Sequence, residues 1–141
     1  MGVGQSSPLG RYPSTSFQSF QVRVLLEHMD VRGKVLDCCG SCRDAPSRLF
    51  TERGLCVTTN DQDSSLTADR HMDVTTDAFY DFFSNDTRRP DWIVSSPPYG
   101  HAFPILKQAI RVGRVGGAFK LRLGFLEPKK TMGRWLAGKH P

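Results

Sequence analysis

Short runs of apolar, β-branched residues alternate with amphipathic helical segments along most of this 141-residue chain. Strands are predicted at residues 34–37, 55–59, 71–74, 91–95 and 118–123. Helices are predicted from Ser16 onward, over residues 76–83, along the apolar stripe from Phe103 to Ile110, and around Arg134. A further helix is predicted to begin at the N-cap Asp44, with Pro46 in its first turn, and to reach about Arg53, where Gly54 stops it. Strands that alternate with helices favour right-handed βαβ units. The sequence therefore predicts an α/β fold with a mostly parallel sheet.

The domain organisation is predicted to be simple. Residues 1–16 are rich in Gly, Ser and Pro and are predicted to be a flexible lead-in, and residues 17–141 are predicted to form a single domain. In the first helix Phe17, Phe20, Val24 and Leu25 fall on one face, a spacing typical of a helix that packs on a core.

The composition excludes several broad classes of protein. Hydrophobic residues make up 38% and charged residues 23%, which is typical of a globular domain. No run of about 18 apolar residues is present, so no membrane span is predicted, and no secretory signal is recognisable. Three of the four cysteines cluster at Cys38, Cys39 and Cys42, unlike a disulfide framework. We therefore expect a reduced, intracellular protein.

The charges are unevenly distributed. Residues 1–100 carry 10 basic and 13 acidic side chains, whereas residues 101–141 carry nine basic side chains and the single acid Glu127. A basic end on an otherwise acidic chain favours contact with a polyanion such as DNA. The charge pattern alone is equally compatible with a solvated helix face followed by a basic tail.

Polar residues follow each of the predicted central strands. In parallel sheets, ligands bind beyond the carboxyl ends of the strands. The residues at those positions are 37–43, 60–61, 73 and 95–99. Three of these places carry an acid and the fourth carries a double proline, so we expect a functional site at this edge of the sheet.

The segment Ser96-Pro97-Pro98-Tyr99 follows directly on a predicted strand. Two prolines cannot extend a ladder because they donate no backbone hydrogen bond. They are expected to fix a rigid bend with outward-facing carbonyls, beside which Tyr99 presents a flat face. A planar amino-bearing group could stack on Tyr99 and donate to those acceptors. The spacing is equally compatible with a turn that closes the strand and packs Tyr99 in the core.

This strand with its SPPY segment resembles the catalytic segment, [DNS]-P-P-[YFW], of S-adenosylmethionine-dependent amino-methyltransferases. The upstream VLDCCGS resembles their first cofactor segment. The tract LRLGFLEP, the later RWL and the early Tyr12-Pro13-Ser14 resemble DNA N6-adenine (or N4-cytosine) methyltransferases of phage and mobile-element type. The resemblance implies a Rossmann-like class I methyltransferase fold. Because that fold adds two more strands, the sheet is expected to be incomplete at its C-terminal edge.

The resemblance also implies roles for individual residues. Residues 37–41 would wrap the methionine end of S-adenosylmethionine, Asp61 would accept hydrogen bonds from its ribose, and Asp73 would accept from its adenine amino group. Without the resemblance, Asp61 reads as a solvated turn residue and Asp73 as a helix cap. The predicted cofactor-binding residues are Asp37, Cys38, Cys39, Gly40, Ser41, Asp61, Asp73 and Ser95.

The predicted catalytic residues are Ser96, Pro97, Pro98 and Tyr99. The resemblance implies that Ser96 and the Pro97 carbonyl hold the target amino group, that Tyr99 stacks on an extruded base, and that the basic C-terminal third holds DNA phosphates. The expected reaction is methyl transfer to a DNA base, with adenine favoured. The alternatives are RNA, a protein glutamine, or a non-catalytic nucleic-acid-binding remnant. The missing strands suggest truncation or a partner chain that completes the sheet. Cys42 stands near a position where the family has a second glycine.

The segment Cys39-Gly40-Ser41-Cys42 has a competing interpretation. A C-x-x-C after a strand and before a helix is also where thiol oxidoreductases carry their redox pair. A metal site would have to recruit Cys56 or His71, and zinc sites usually have a second well-formed pair that this sequence lacks. We therefore favour a loop of small residues and predict no metal. His101 is left out of the predicted site.

Overall fold

The computed structural model describes residues 17–122 and residue 124. Its strands are β1 (Lys34–Asp37), β2 (Cys56–Thr59), β3 (Trp92–Ser95) and β4 (Gly116–Phe119). Its α-helices are α1 (Ser19–His28), α2 (Ala45–Glu52), α3 (Asp77–Phe83) and α4 (Ala102–Val112), and a 3₁₀ helix (Tyr99–His101) leads into α4. Helices long and apolar enough to span a bilayer are absent from the residues described.

The four strands form one sheet in the order β2-β1-β3-β4, and every pair is parallel. The predicted α/β fold with a mostly parallel sheet is confirmed. The chain runs from β1 outward to β2, and then crosses back to build β3 and β4 on the other side of β1. The carboxyl ends of all four strands consequently lie along the same edge of the sheet.

Helices pack on both faces of the sheet, which explains why its central strands are apolar on both sides. Val35 and Val94 pack with α1 and α2 in one core cluster. Leu36 and Ile93 pack with α3 and α4 in a second cluster that includes the phenylalanines of α3. Consecutive residues of one strand therefore enter different cores, because side chains alternate along a strand.

The predicted helix starts are confirmed at two places. Asp44 occupies the N-cap position of α2 and Pro46 lies in its first turn, where a missing N–H costs nothing. Thr76 caps α3, since its side chain accepts a hydrogen bond from the Phe79 N–H. Gly54, with φ of 81°, ends the first of these helices, as the sequence predicts.

Three local predictions differ from the structure. Of the predicted face of α1, Phe17 and Leu25 pack against the core but Phe20 and Val24 are exposed, and Val22 is the fully buried residue, with Leu26 and Met29 packed beside it. No strand forms at residues 71–74; a single bridge joins Asn60 to Arg70. The last described strand begins earlier than predicted because Gly116 and Gly117 already pair with β3.

Several predictions lie outside the described residues. They concern the lead-in at residues 1–16, the Tyr12-Pro13-Ser14 segment, the helix around Arg134, most of the LRLGFLEP tract, and the sheet edge beyond β4.

Candidate functional site

The candidate site lies where the chain connections diverge from the centre of the sheet. β1 leads through α2 to β2 on one side, and β3 leads through α4 to β4 on the other. The loops after β1 and β3 therefore turn away from each other and leave a crevice at the carboxyl edge, which is where open parallel sheets bind ligands. The predicted cofactor residues 37–41 and the SPPY segment follow these two strands.

Asp37 and Ser95 are in direct contact at this edge. The Ser95 hydroxyl donates to Asp37 Oδ1 at 2.7 Å and accepts from the Cys39 N–H at 3.0 Å. The same N–H lies 3.3 Å from Asp37 Oδ1. Asp37 is 3% exposed and Ser95 is fully buried. Two predicted cofactor residues from separate strands are thus joined beneath the crevice, and they fix the first turn of the loop after β1.

The close approach at Gly40 explains why this position is a glycine. A Cβ added at residue 40 would overlap the Asp37 carboxylate. Gly40 N–H also donates to the carbonyl of Asn60 at 3.0 Å, which ties the loop after β1 to the end of β2. Its φ is not positive, so the requirement for glycine here is steric. The next residue, Ser41, is buried and donates its N–H to the Asp44 carboxylate.

Asn60 is the functional residue that the sequence analysis missed. Its side-chain amide donates to the carbonyls of Cys38 and Met72, both at 3.0 Å, and its Oδ1 accepts from the Met72 N–H at 2.9 Å. The residue is fully buried. A single amide therefore holds the loop after β1 against the segment that carries Asp73. The only sequence signal is a polar residue at a strand end, immediately before Asp61. We call Asp37, Cys39, Asn60 and Ser95 the rim network.

A cleft of 260 Å³ opens above the rim network. It brings together the loops that follow β1 and β2, the segment before α3, and the start of α4. Its lining residues are Cys38, Cys39, Gln62, Asp73, Val74, Thr75, His101 and Ile105. Three predicted cofactor residues, Cys38, Cys39 and Asp73, share this wall, and so does His101, which the sequence analysis left out.

The two predicted acidic ligands occupy different environments. Asp73 lines the cleft and is half-buried, and its Oδ1 accepts from both the N–H and the hydroxyl of Thr75. Asp61 is 2% exposed, and its Oδ1 accepts from the Asp63 N–H at 3.0 Å. At the position after β2 it is Gln62 that reaches the cleft wall. The structure therefore places Asp73 at the cleft surface and Asp61 beneath it.

The SPPY segment runs from the rim network into α4. Ser96, Pro97 and Pro98 are buried, and the Pro98 carbonyl accepts from the His101 N–H at 3.0 Å, which starts the 3₁₀ turn. Tyr99 is half-buried and its ring lies 5.7 Å from the guanidinium carbon of Arg122. Tyr99 thus contacts the chain that leaves β4, and the cleft wall at this point is formed by His101.

The cysteines are arranged unlike a redox pair. Cys38 and Cys39 are buried, Cys42 is exposed, and all are free thiols. A side-chain hydrogen bond with Cys38, burial, and the nearby Cys38, Asp37 and Asp61 raise the pKa of the Cys39 thiol well above its usual value. A nucleophilic redox cysteine needs the opposite shift, because the thiolate is the reactive form. The geometry therefore favours a structural role for Cys39.

Basic side chains of the described part surround the outer end of α4. Lys107 lies 5.1 Å above the ring of Phe103, and Arg111 lies 4.0 Å above the ring of Tyr80. These basic residues border a groove of 320 Å³ that shares Thr75 with the cleft. Arg114 is 3.5 Å from the carboxylate of Asp91. Lys120 and Arg122 follow β4, and the basic residues from Lys129 onward lie outside the described residues.

The sequence matches no protein-family model and no curated protein, and the structure matches no solved structure. Within residues 17–122, no three His, Cys, Asp or Glu side chains are grouped so that they could hold a metal ion.

Proposed function

We propose that this chain is an S-adenosylmethionine-dependent methyltransferase of the Rossmann-like class that acts on an exocyclic amino group of a DNA base, with adenine favoured. The observation that carries the proposal is the buried contact between Asp37 and Ser95 at the point where the connections diverge. It joins the loop resembling a cofactor segment to the strand that ends in SPPY. Both features resemble the amino-methyltransferases. The contact lies next to the cleft wall formed by Cys38 and Cys39, while residues 96–99 lie outside the cleft lining.

The residues around the cleft are consistent with the cofactor. The loop after β1 is held close to the Asp37 carboxylate, which occupies the place that a side chain at residue 40 would take. Asp73 adds an acceptor at the cleft surface that could take a hydrogen bond from an adenine amino group. The cleft is just below the roughly 300–1,000 Å³ of sites for drug-sized ligands. We infer that it holds the adenine half, with residues 37–41 next to the remainder.

The chain's own residues would position the target amino group. When bound, S-adenosylmethionine would supply an electrophilic methyl group on sulfur. Ser96 and the carbonyl of Pro97 would accept hydrogen bonds from the two N–H groups of the target, which would direct the nitrogen lone pair toward that methyl group. Such positioning and preorganised acceptors are sufficient for displacement without a covalent enzyme intermediate. Tyr99 would stack on the extruded base, with Arg122 next to the same ring.

The cofactor assignment is tested by calorimetry with S-adenosylhomocysteine. We expect micromolar binding to the wild type and at least about tenfold weaker binding to Asp73→Asn, because an acceptor that is charged becomes neutral. Asp81→Asn is the matched control, since Asp81 is an exposed acid on α3 away from the cleft wall. A folded sample that gives no heat at millimolar ligand would contradict the methyltransferase proposal and leave a nucleic-acid-binding remnant.

The catalytic assignment is tested by transfer of a radiolabelled methyl group to DNA, RNA and glutamine-containing peptides. We expect DNA to be the best acceptor, and Ser96→Ala to lower kcat at least about tenfold while adenosylhomocysteine affinity is unchanged. The control is Ser84→Ala, at the exposed end of α3. Equal rates for the wild type and Ser96→Ala would remove Ser96 from the mechanism, and a preference for RNA or peptide would reassign the substrate.

A further inference from the structure

A second and larger cavity lies on the opposite side of β1 from the SPPY segment. It has a volume of 520 Å³, which is within the range of small-molecule sites. Its floor is the sheet surface of β1 and β2, and its wall is the end of α3 together with the turn that follows. Its lining residues are Lys34, Val35, Leu36, Cys56, Val57, Thr58, Asp69, Arg70, Phe82, Phe83, Thr87, Arg88 and Pro90. We call this cavity the β2-face groove.

The groove exists because one face of β2 is uncovered within the described part of the chain. Lys34 pairs with Cys56 and Leu36 pairs with Thr58, so these four side chains lie on one face of the sheet. Leu36 is fully buried beneath α3 and α4, but Cys56 is exposed and Thr58 only half-buried. Parallel sheets are normally covered on both faces. The groove is therefore the part of this sheet face that stays uncovered at β2.

Three cations surround that floor. The guanidinium carbons of Arg70 and Arg88 lie 4.5 and 4.2 Å from the centroid of the Phe82 ring. Since both are this close to one ring, they are less than about 9 Å apart, which is comparable to the screening length of about 8–10 Å at 0.15–0.1 M salt. Two like charges at this separation repel each other, and an anion that contacts both reduces the repulsion.

The acids of the described residues neutralise this charge only in part. Their ion pairs within 4.0 Å are Arg32 with Asp30 and Arg114 with Asp91, and neither lies in the groove. Asp69 is the one acid in the lining, where it stands against the three cations, and its Oδ2 accepts from the N–H and hydroxyl of Thr59. The groove therefore keeps an excess of positive charge.

The known contacts of the cations leave them able to bind a ligand. Arg88 Nε donates to the Phe82 carbonyl at 3.0 Å, which gives a hydrogen-bond partner to a carbonyl in the last turn of α3. Lys34 Nζ donates to the Thr87 carbonyl at 2.6 Å. Each contact uses one N–H, whereas a guanidinium has five and an ammonium three. The terminal N–H groups of arginine match the geometry of phosphate oxygens.

We propose that the β2-face groove binds an organic phosphate monoester, with its phosphate held by Arg70 and Arg88 and its apolar body against Cys56 and Thr58 on the open part of the sheet. A phosphate monoester carries about −1.5 to −2 charges at neutral pH, which suits a site with a nearby ammonium and two guanidiniums that form no ion pair with the described acids. This site is independent of the methyltransferase proposal, because it shares no lining residue with the cleft above the rim network.

Cys56 provides a direct measurement, since its thiol is exposed and lines the groove. Alkylation by iodoacetamide, which is neutral, would be followed by peptide mass spectrometry with phenyl phosphate as the probe. We expect saturable protection of Cys56 by at least about fivefold, with Cys42, which is exposed outside the groove, as the internal reference. Inorganic phosphate is expected to protect much less, because it lacks the apolar body.

The variant Arg70→Gln tests the charge requirement while it keeps the hydrogen bond from Arg88 to the end of α3. We expect at least about tenfold weaker protection by phenyl phosphate. Arg23→Gln, on the exposed face of α1, removes the same charge elsewhere and should change nothing. The proposal is overturned if millimolar phenyl phosphate leaves Cys56 unprotected, if phenol or inorganic phosphate protects equally, or if Arg70→Gln binds as the wild type does.

Discussion

The rim network and the β2-face groove differ in how their polar groups are paired. At the rim, Asp37, Asn60 and Ser95 are buried and find their partners within the protein. In the groove, Arg70 and Arg88 are exposed around an aromatic ring, and no described acid pairs with them. Buried polar groups that pair with one another make a rigid scaffold for a site. An excess of positive charge around an open cavity indicates instead a surface that binds a ligand. Stability should therefore depend on the rim and binding on the groove.

The largest difference is expected at Asn60. Replacement of Asn60 by Leu keeps the size but leaves the carbonyls of Cys38 and Met72 and the Met72 N–H without their partner. Because each buried, unpaired group costs about 1–3 kcal/mol, we expect a loss of about 3 kcal/mol or more in the free energy of unfolding in urea. Gln62→Leu, on the exposed cleft wall, should stay within about 0.5 kcal/mol. A loss below about 1 kcal/mol at Asn60 would mean that the rim is not preorganised.

Gly40→Ala tests the steric side of the same region. The added methyl group would meet the Asp37 carboxylate, so we expect a loss of about 1–3 kcal/mol in stability together with loss of adenosylhomocysteine binding. Gly100→Ala is the matched control, since nothing lies within 4 Å of a Cβ at that position. If both variants unfold at the same urea concentration, the loop after β1 is more open than described.

The buried thiol of Cys39 should make the stability of the rim network depend on pH. Its pKa is raised in the folded protein, so the native state holds its proton more tightly than the unfolded state does. The stabilisation that this difference in pKa provides is complete below the ordinary thiol pKa of about 8.5, and it is lost as the pH rises through the pKa of Cys39 in the folded protein. Over that range the free energy of unfolding falls by at most about 1.4 kcal/mol per pH unit. The free energy of unfolding in urea, measured from neutral pH to about pH 10, should fall more steeply in the wild type than in Cys39→Ala. If the two proteins lose stability in parallel as the pH rises, the raised pKa of Cys39 is contradicted.

The smallest effect is expected in the groove. Arg70→Gln removes one of two like charges near the Phe82 ring together with one cation–π contact, and these changes oppose each other. We expect the free energy of unfolding to stay within about 0.5 kcal/mol of wild type, with a slight gain at low salt. A loss above about 1 kcal/mol would show that the guanidinium is a structural element, and the contrast between the two regions would then disappear.

The sheet and its carboxyl edge could be predicted from the sequence because they depend on local patterns. Runs such as Val35-Leu36 and Ile93-Val94 are apolar on both faces, and glycine or proline follows the ends of α2, β3 and α4. The buried face of α1 was harder to predict, since Val22, Leu26 and Met29 form a second stripe at helical spacing. Only packing against α2 and the sheet decides between the two stripes.

The site was predictable in position but not in detail. The acids at the ends of β1 and β2 indicate the edge, yet sequence alone does not distinguish Asp73, at the cleft surface, from the buried Asp61. The role of Asn60 depends on contacts with residues 12 and 22 positions away in the chain, and no local pattern encodes them. The same reason applies to the groove, where Arg70 and Arg88 meet at Phe82 from two different loops.

The contact between Ser95 and Asp37 has a consequence for the order of assembly. It spans 58 positions of sequence and requires that β3 has already docked against β1. Non-local parallel pairing of this kind forms late, because a long loop must close before any contact compensates its entropy. An intermediate that contains only α1, β1, α2 and β2 therefore lacks the floor of the cleft, so ligand binding can begin only when the chain has completed the centre of its sheet.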